Sequence, residues 1–176
     1  MKAARRHGGL ILLGCFLLSS AWAQSRREPL NPVEIDQLRD AAQDPATRIK
    51  LFIEFARARL TTLEQMRSDP KVTDRAQQTH DKLQNFLDVY DELNDNIDTF
   101  VERKADLRKP LKSAIEADAE FGVKLRALRS SLEASPSEAQ KDEFLLNNAV
   151  DTVDAGAQDH RQLLAEQEEA AKHRKK

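Results

Sequence analysis

The sequence predicts an all-α protein: an elongated antiparallel helical bundle or coiled coil, built on one long central helix kinked at Pro110. Three observations predict it. First, apolar residues recur in alternating steps of four and three through Val72, Ala76, Thr79, Leu83, Phe86, Tyr90, Leu93, Ile97, Phe100, Lys104, Leu107, Leu111, Ala114, Asp118, Phe121, Leu125, Leu128 and Leu132. A spacing of 3.5 keeps one stripe of a helix against its partners. Only Thr79, Lys104 and Asp118 interrupt the stripe, and Leu87, Val101 and Ile115 widen it beyond what one partner helix covers. Second, a capping residue precedes proline at Asn31-Pro32, Asp44-Pro45, Asp69-Pro70 and Ser135-Pro136. Third, no run of alternating β-branched residues marks a strand, and beyond the first 23 residues glycine occurs only at Gly122 and Gly156.

The central stretch, 69–134, turns on Pro110. Proline lacks an N–H and clashes with the carbonyl four residues back, so it kinks or ends a helix. The four-three phase runs through it without a slip, and no Gly or Asn lies nearby to turn the chain, which favours a kinked continuous helix. Such a helix of about 65 residues is ~100 Å long. The alternative is a turn at Pro110, which makes an up-down-up-down four-helix bundle.

In chain order, residues 1–23 read as an export signal. Lys2, Arg5 and Arg6 start it, 9–18 is its apolar core, and Ala21-Trp22-Ala23 supplies the small-x-small cleavage pattern, so the mature protein is expected to begin at Gln24. The protein is therefore expected in the periplasm or secreted, by Sec or twin-arginine export. Cutting before Cys15 in a lipobox-like reading leaves Phe16-Leu17-Leu18 at the front and gives Ala21-Trp22-Ala23 no purpose.

Residues 24–31 form a flexible lead, 32–172 a single helical domain, and 173–176 a basic tail. At each X-Pro step the cap side chain accepts a free N–H of the first turn, where the missing N–H of proline costs nothing. Glu34 and Glu138 complete capping boxes with Asn31 and Ser135. The first helix, 32 to about 43, offers Val33, Ile35, Leu38 and Ala42 for packing. The second, 45 to about 67, offers Ile49, Phe52, Ile53, Ala56, Leu60 and Leu63, with Phe55 widening the face. The last, 136 to about 170, offers Leu146, Val150, Val153, Ala157, His160 and Leu164. By length, the second helix lies back along 70–93 and the last along 132 to about 97. On a continuous rod this tiling leaves stripe uncovered, a seam for a homo-oligomer.

Composition narrows the function classes. The whole chain carries 28 basic and 30 acidic residues; without the signal 25 basic remain and the net charge is −5. An acidic chain lacks the basic face that nucleic acid requires. The only cysteine goes with the signal, so the mature chain has no disulfide, thiolate nucleophile or Cys-held metal. The tail, with Lys172 before it, reads as cations at a helix C-terminus; membrane anchoring takes a second signal, and no apolar residues accompany it.

Chemistry is thin. His-x-x-x-His, His-Glu-x-x-His, Glu-x-x-His, Gly-x-Ser-x-Gly and phosphate-binding Gly loops are all missing from the sequence. His80 is expected to face solvent, and His160 to lie on the apolar seam with a neighbouring partner. Met66 and His160 are the residues that a haem- or metal-binding reading would use. The acids of 88–98 keep helical apolar spacing, so they read as a solvated face rather than a calcium loop. Lys104 and Asp118 either fix register, meet a partner's charge, or mark uncovered stripe. No catalytic, cofactor or metal residue is therefore assigned. The expectation is a non-enzymatic exported helical protein acting by surface contact, as scaffold, spacer, chaperone-like or envelope-interaction protein. The alternative is a ligand-, haem- or metal-binding bundle.

Overall fold

The computed structural model describes residues 28–133 and 136–173. The signal segment, residues 24–27 of the lead, Ser135 of the fourth cap and residues 174–176 of the tail lie outside the described residues. Five helices form among the described residues: α1 (Pro32–Asp40), α2 (Pro45–Ser68), α3 (Arg75–Glu102), α4 (Arg108–Glu133) and α5 (Pro136–His173). The all-α bundle is as the sequence predicts.

Two starts match the cap chemistry closely. Asn31 accepts from the Val33 and Glu34 amides at 2.9 and 3.0 Å, and Glu34 accepts from the Asn31 amide at 2.9 Å, completing the box. Asp44 accepts from the Ala46 amide at 3.0 Å and opens α2. The third start is corrected. Asp69-Pro70 makes a β-turn, closed by the Val72 amide on the Asp69 carbonyl at 3.3 Å, and α3 begins five residues later at Arg75. Asp followed by Pro suits positions i and i+1 of a turn as well as the first turn of a helix, so the dipeptide alone does not decide.

The continuous central helix is also corrected: the chain breaks between Glu102 and Arg108. The Lys104 amide bonds the Val101 carbonyl at 2.8 Å and the Ala105 amide bonds the Phe100 carbonyl at 3.0 Å. That pair is a Schellman ending, and Lys104 takes the left-handed conformation it needs, at φ 58°. Asp106 then accepts from the Arg108 amide at 3.2 Å. Pro110 falls at the third position of α4, within the first turn, where an N–H has no intrahelical partner to lose. The turn therefore lies just before Pro110, and the four-helix alternative is the form adopted.

The helices form two antiparallel hairpins. In the first, Arg48 Nε donates to Asn96 Oδ1 at 2.6 Å and Arg67 donates to Thr79 at 3.0 Å, at opposite ends of α2 and α3. In the second, Arg126 pairs with Asp154 at 3.0 Å across α4 and α5. Between hairpins, α2 runs parallel to α4 through Arg57–Glu120 at 2.9 Å and Glu64–Lys124 at 2.7 Å. α3 likewise runs parallel to α5, with His80 near Asp142 and, further along both helices, Tyr90 against Gly156. The consecutive helices α3 and α4 do not pack side by side; they face each other across the bundle diagonal.

This arrangement uses the stripe internally. Phe86, Tyr90, Leu93, Leu107, Leu111, Ala114, Phe121 and Leu125 have no exposed surface. Phe86 meets Phe121 edge-on at 5.4 Å and stacks on Tyr90 at 5.9 Å, so the core reaches across the diagonal. The seam that a rod leaves open is thus covered by the chain's own second hairpin. Lys104, on the turn, is exposed, whereas Thr79 and Asp118 are buried. α2 and α5 bury the faces read from sequence, apart from Leu164, which is half-buried. α1 does not bury its expected face: Leu38 is buried, but Val33 is 66% and Ile35 37% exposed. Glu34 is buried there instead, held by Arg59 of α2 at 2.6 and 2.8 Å.

Candidate functional site

The densest cluster of buried polar chemistry sits where α3, α4 and α5 meet. Asp118 of α4 accepts from the Tyr90 hydroxyl of α3 through Oδ1 at 2.8 Å. Its Oδ2 lies 2.8 Å from Nδ1 of His160 on α5. The side chains of Asp118 and His160 are 0% and 5% exposed, and Tyr90 is 0% exposed. A carboxylate out of water is costly unless its oxygens are satisfied, and here each has a partner.

Gly156 makes the arrangement possible. It lies one helical turn before His160 on α5, and a Cβ there would fall 2.3 Å from the Tyr90 oxygen and 3.1 Å from Cζ. The phenol tip occupies the space a side chain would take. Burial first, and then the negative charge of Asp118, push the Tyr90 phenol far above its ordinary value. Tyr90 therefore keeps its proton and acts as a donor. With both oxygens engaged and no solvent path, the cluster fixes the register of three helices.

Sequence reasoning singled out two of these three residues separately, Asp118 as a seam charge and His160 as a seam histidine with a neighbouring partner. The partner is Asp118. In the sequence Tyr90 is one more residue of the apolar stripe. Its signal was a hydroxyl at a seam position beside a seam carboxylate, and that is visible only once α3 and α4 are known to fold against each other.

The structure does not bring Met66 and His160 together. Met66 lies near the end of α2 beside the Arg67–Thr79 contact. At that level of the bundle α5 presents Asp142, which is 3.2 Å from His80 of α3. His160 is 18 residues further along α5, ~27 Å at the helical rise. Among the described residues no group of three or more His, Cys, Asp or Glu is placed to hold a metal ion. His80 is 40% exposed at its side chain, partly as expected, and reaches the buried Asp142.

The acids around Asp91 stay helical. Partial desolvation first, then the charges of Asp88, Asp95 and Glu92, raise the Asp91 carboxyl above its ordinary value. Burial and like-charged neighbours both disfavour the ionised carboxyl there. Between α2 and α4 lies an open groove of about 360 Å³, lined by Leu60, Leu63, Arg67, Lys124, Ala127 and Leu128 among others. Among the described residues no helix is long and apolar enough to cross a membrane.

No protein-family model, no curated protein and no solved structure matches the chain.

Proposed function

We propose that the chain is an exported, non-enzymatic helical protein that works by surface contact with another macromolecule. One observation carries the reading: Phe144, on the outer face of α5, is 85% exposed. Aromatic side chains are large apolar payloads and recur as the anchors of binding surfaces. The burial of Tyr90, Asp118 and His160 adds support, because the best acid–base candidates already serve one another. The export part rests on residues 1–23.

A photo-crosslinking residue at position 144, in the cell that makes the chain, tests the contact. Asp151, exposed on the same face two turns on, is the control position. A discrete adduct at 144 and none at 151 supports the reading; no adduct, or equal adducts, refutes it. Mass measurement of the protein recovered outside the cytoplasm tests export, with a start at Gln24 expected.

The groove between α2 and α4 favours a second reading, a small-ligand-binding bundle. Its volume and mainly apolar lining fall in the range of ligand sites. Saturable binding of an apolar fluorescent probe, lost on Ala127→Trp, would favour it.

A further inference from the structure

We propose that a second copy of this chain is a partner, through exchange of hairpins: the α4–α5 hairpin of one copy packs on the α2–α3 hairpin of the other. The inference stands independently of the contact at Phe144.

Four observations carry it. The two hairpins are joined only through the turn at 103–107. Because α3 and α4 do not pack side by side, opening that turn breaks few local contacts. They include the two Schellman bonds, the Asp106 cap on the Arg108 amide, the burial of Leu107 and the grip of Gln167, which accepts from the Leu107 amide at 2.8 Å and donates to the Ala105 carbonyl at 3.2 Å. The turn is also held in an unfavourable conformation, with Lys104 at φ 58° where glycine is the comfortable residue. Finally, Phe100, Lys104, Leu107 and Leu111 keep the four-three phase across the turn, so an extended hinge leaves the stripes of α3 and α4 in step.

The occupant is set by complementarity. The hairpin interface pairs Tyr90 with Asp118, Arg57 with Glu120, Glu64 with Lys124 and His80 with Asp142. A second copy supplies the same set, so every one of these contacts reforms between chains at no cost in matching. Exchange of identical elements is a low-cost route to dimers, and strained short hinges favour it.

The test uses the full chain, unfolded and refolded at about 1 mM, with size separation and mass determination. A dimer that persists on dilution is expected, because returning to monomer requires the hairpins to separate. Lys104→Gly relaxes the turn and should lower the dimer-to-monomer ratio roughly fivefold, while Lys104→Ile should raise it. Deletion of 104–106 leaves too little chain to close within one copy and should give a dimer with unchanged helical content. Absence of dimer from both wild type and Lys104→Ile overturns the proposal, as does a ratio indifferent to both substitutions, which marks a side-by-side dimer. A deletion variant that stays a folded monomer also overturns it; if that variant does not fold, the Lys104 pair decides.

Discussion

Gly156→Ala should destabilise the bundle, although alanine is the better helix former. In an exposed helix the change gains about 1 kcal/mol. Here the new Cβ meets the Tyr90 oxygen at 2.3 Å, far inside contact distance. Tyr90 cannot yield freely. Phe86 stacks on it, Phe121 packs edge-on at 6.2 Å, and its hydroxyl is held by Asp118. Overpacking costs about 1–3 kcal/mol, and displacing a buried hydrogen bond adds about 1–2 kcal/mol. Against the propensity gain, the net loss is about 1–4 kcal/mol, or roughly 5–10 °C in Tm for the middle of that range. Urea and thermal unfolding followed by circular dichroism would measure it. Gly122→Ala is the internal control. Its Cβ meets the Arg126 guanidinium at 2.8 Å, the far end of an exposed, flexible side chain. That variant should be neutral or stabilised by up to about 1 kcal/mol. If Gly156→Ala is as stable as wild type, the Tyr90 hydroxyl is not where the structure puts it.

Four further outcomes follow from other contacts in the structure. Asp118→Ala strands the Tyr90 hydroxyl and the His160 ring in the core and should cost about 3–5 kcal/mol in urea unfolding. The triple variant Tyr90→Phe, Asp118→Leu, His160→Leu should recover most of that loss, because an apolar set replaces the whole polar cluster. Gln167→Ala removes both bonds to the α3–α4 turn and should cost about 1–2 kcal/mol, with faster amide exchange at Leu107. The fourth concerns pH. Burial alone would raise the Glu34 carboxyl, but the Arg59 side chain and the Asn31 amide outweigh it and hold it below its ordinary value. A lowered folded-state value means the contribution is fully present above the unfolded value of 4.5 and is lost as pH falls through the folded one. Glu34→Gln should therefore be less stable than wild type at neutral pH, with the gap closing as pH falls below the unfolded value of 4.5; a gap that widens in acid would contradict the sign.

Much of the fold was legible because apolar spacing is a property of the chain itself. The faces of α2, α3, α4 and α5 were readable from residues such as Phe52, Leu83, Leu125 and Val153. The break at 103–107 was not. Its signals were a left-handed lysine, which nothing in residue type announces, and a phase kept in step across the turn. Phase reports which residues face inward; it does not report whether the chain continues straight. Pro110 drew attention because it is visible, yet it only follows the turn. α1 misled for a similar reason. Val33 and Ile35 look like a packing face, but a nine-residue helix anchored through Glu34 and Arg59 need not bury them. The polar cluster was half legible. Asp118 and His160 stood out singly on apolar seams, and only the fold could show that each was the other's partner and that Tyr90 completed the pair.

Spin labels at Gln78 and Ser130, in a Cys15→Ser background at dilute concentration, give the most direct distance. Both positions lie at the bundle end away from the 103–107 turn. If α4 folds back on α3, the labels are one bundle width apart, about 20–30 Å with helices spaced ~10 Å. A separation near 75–80 Å, the length of 52 residues of uninterrupted helix, would mean that the chain runs on as a rod.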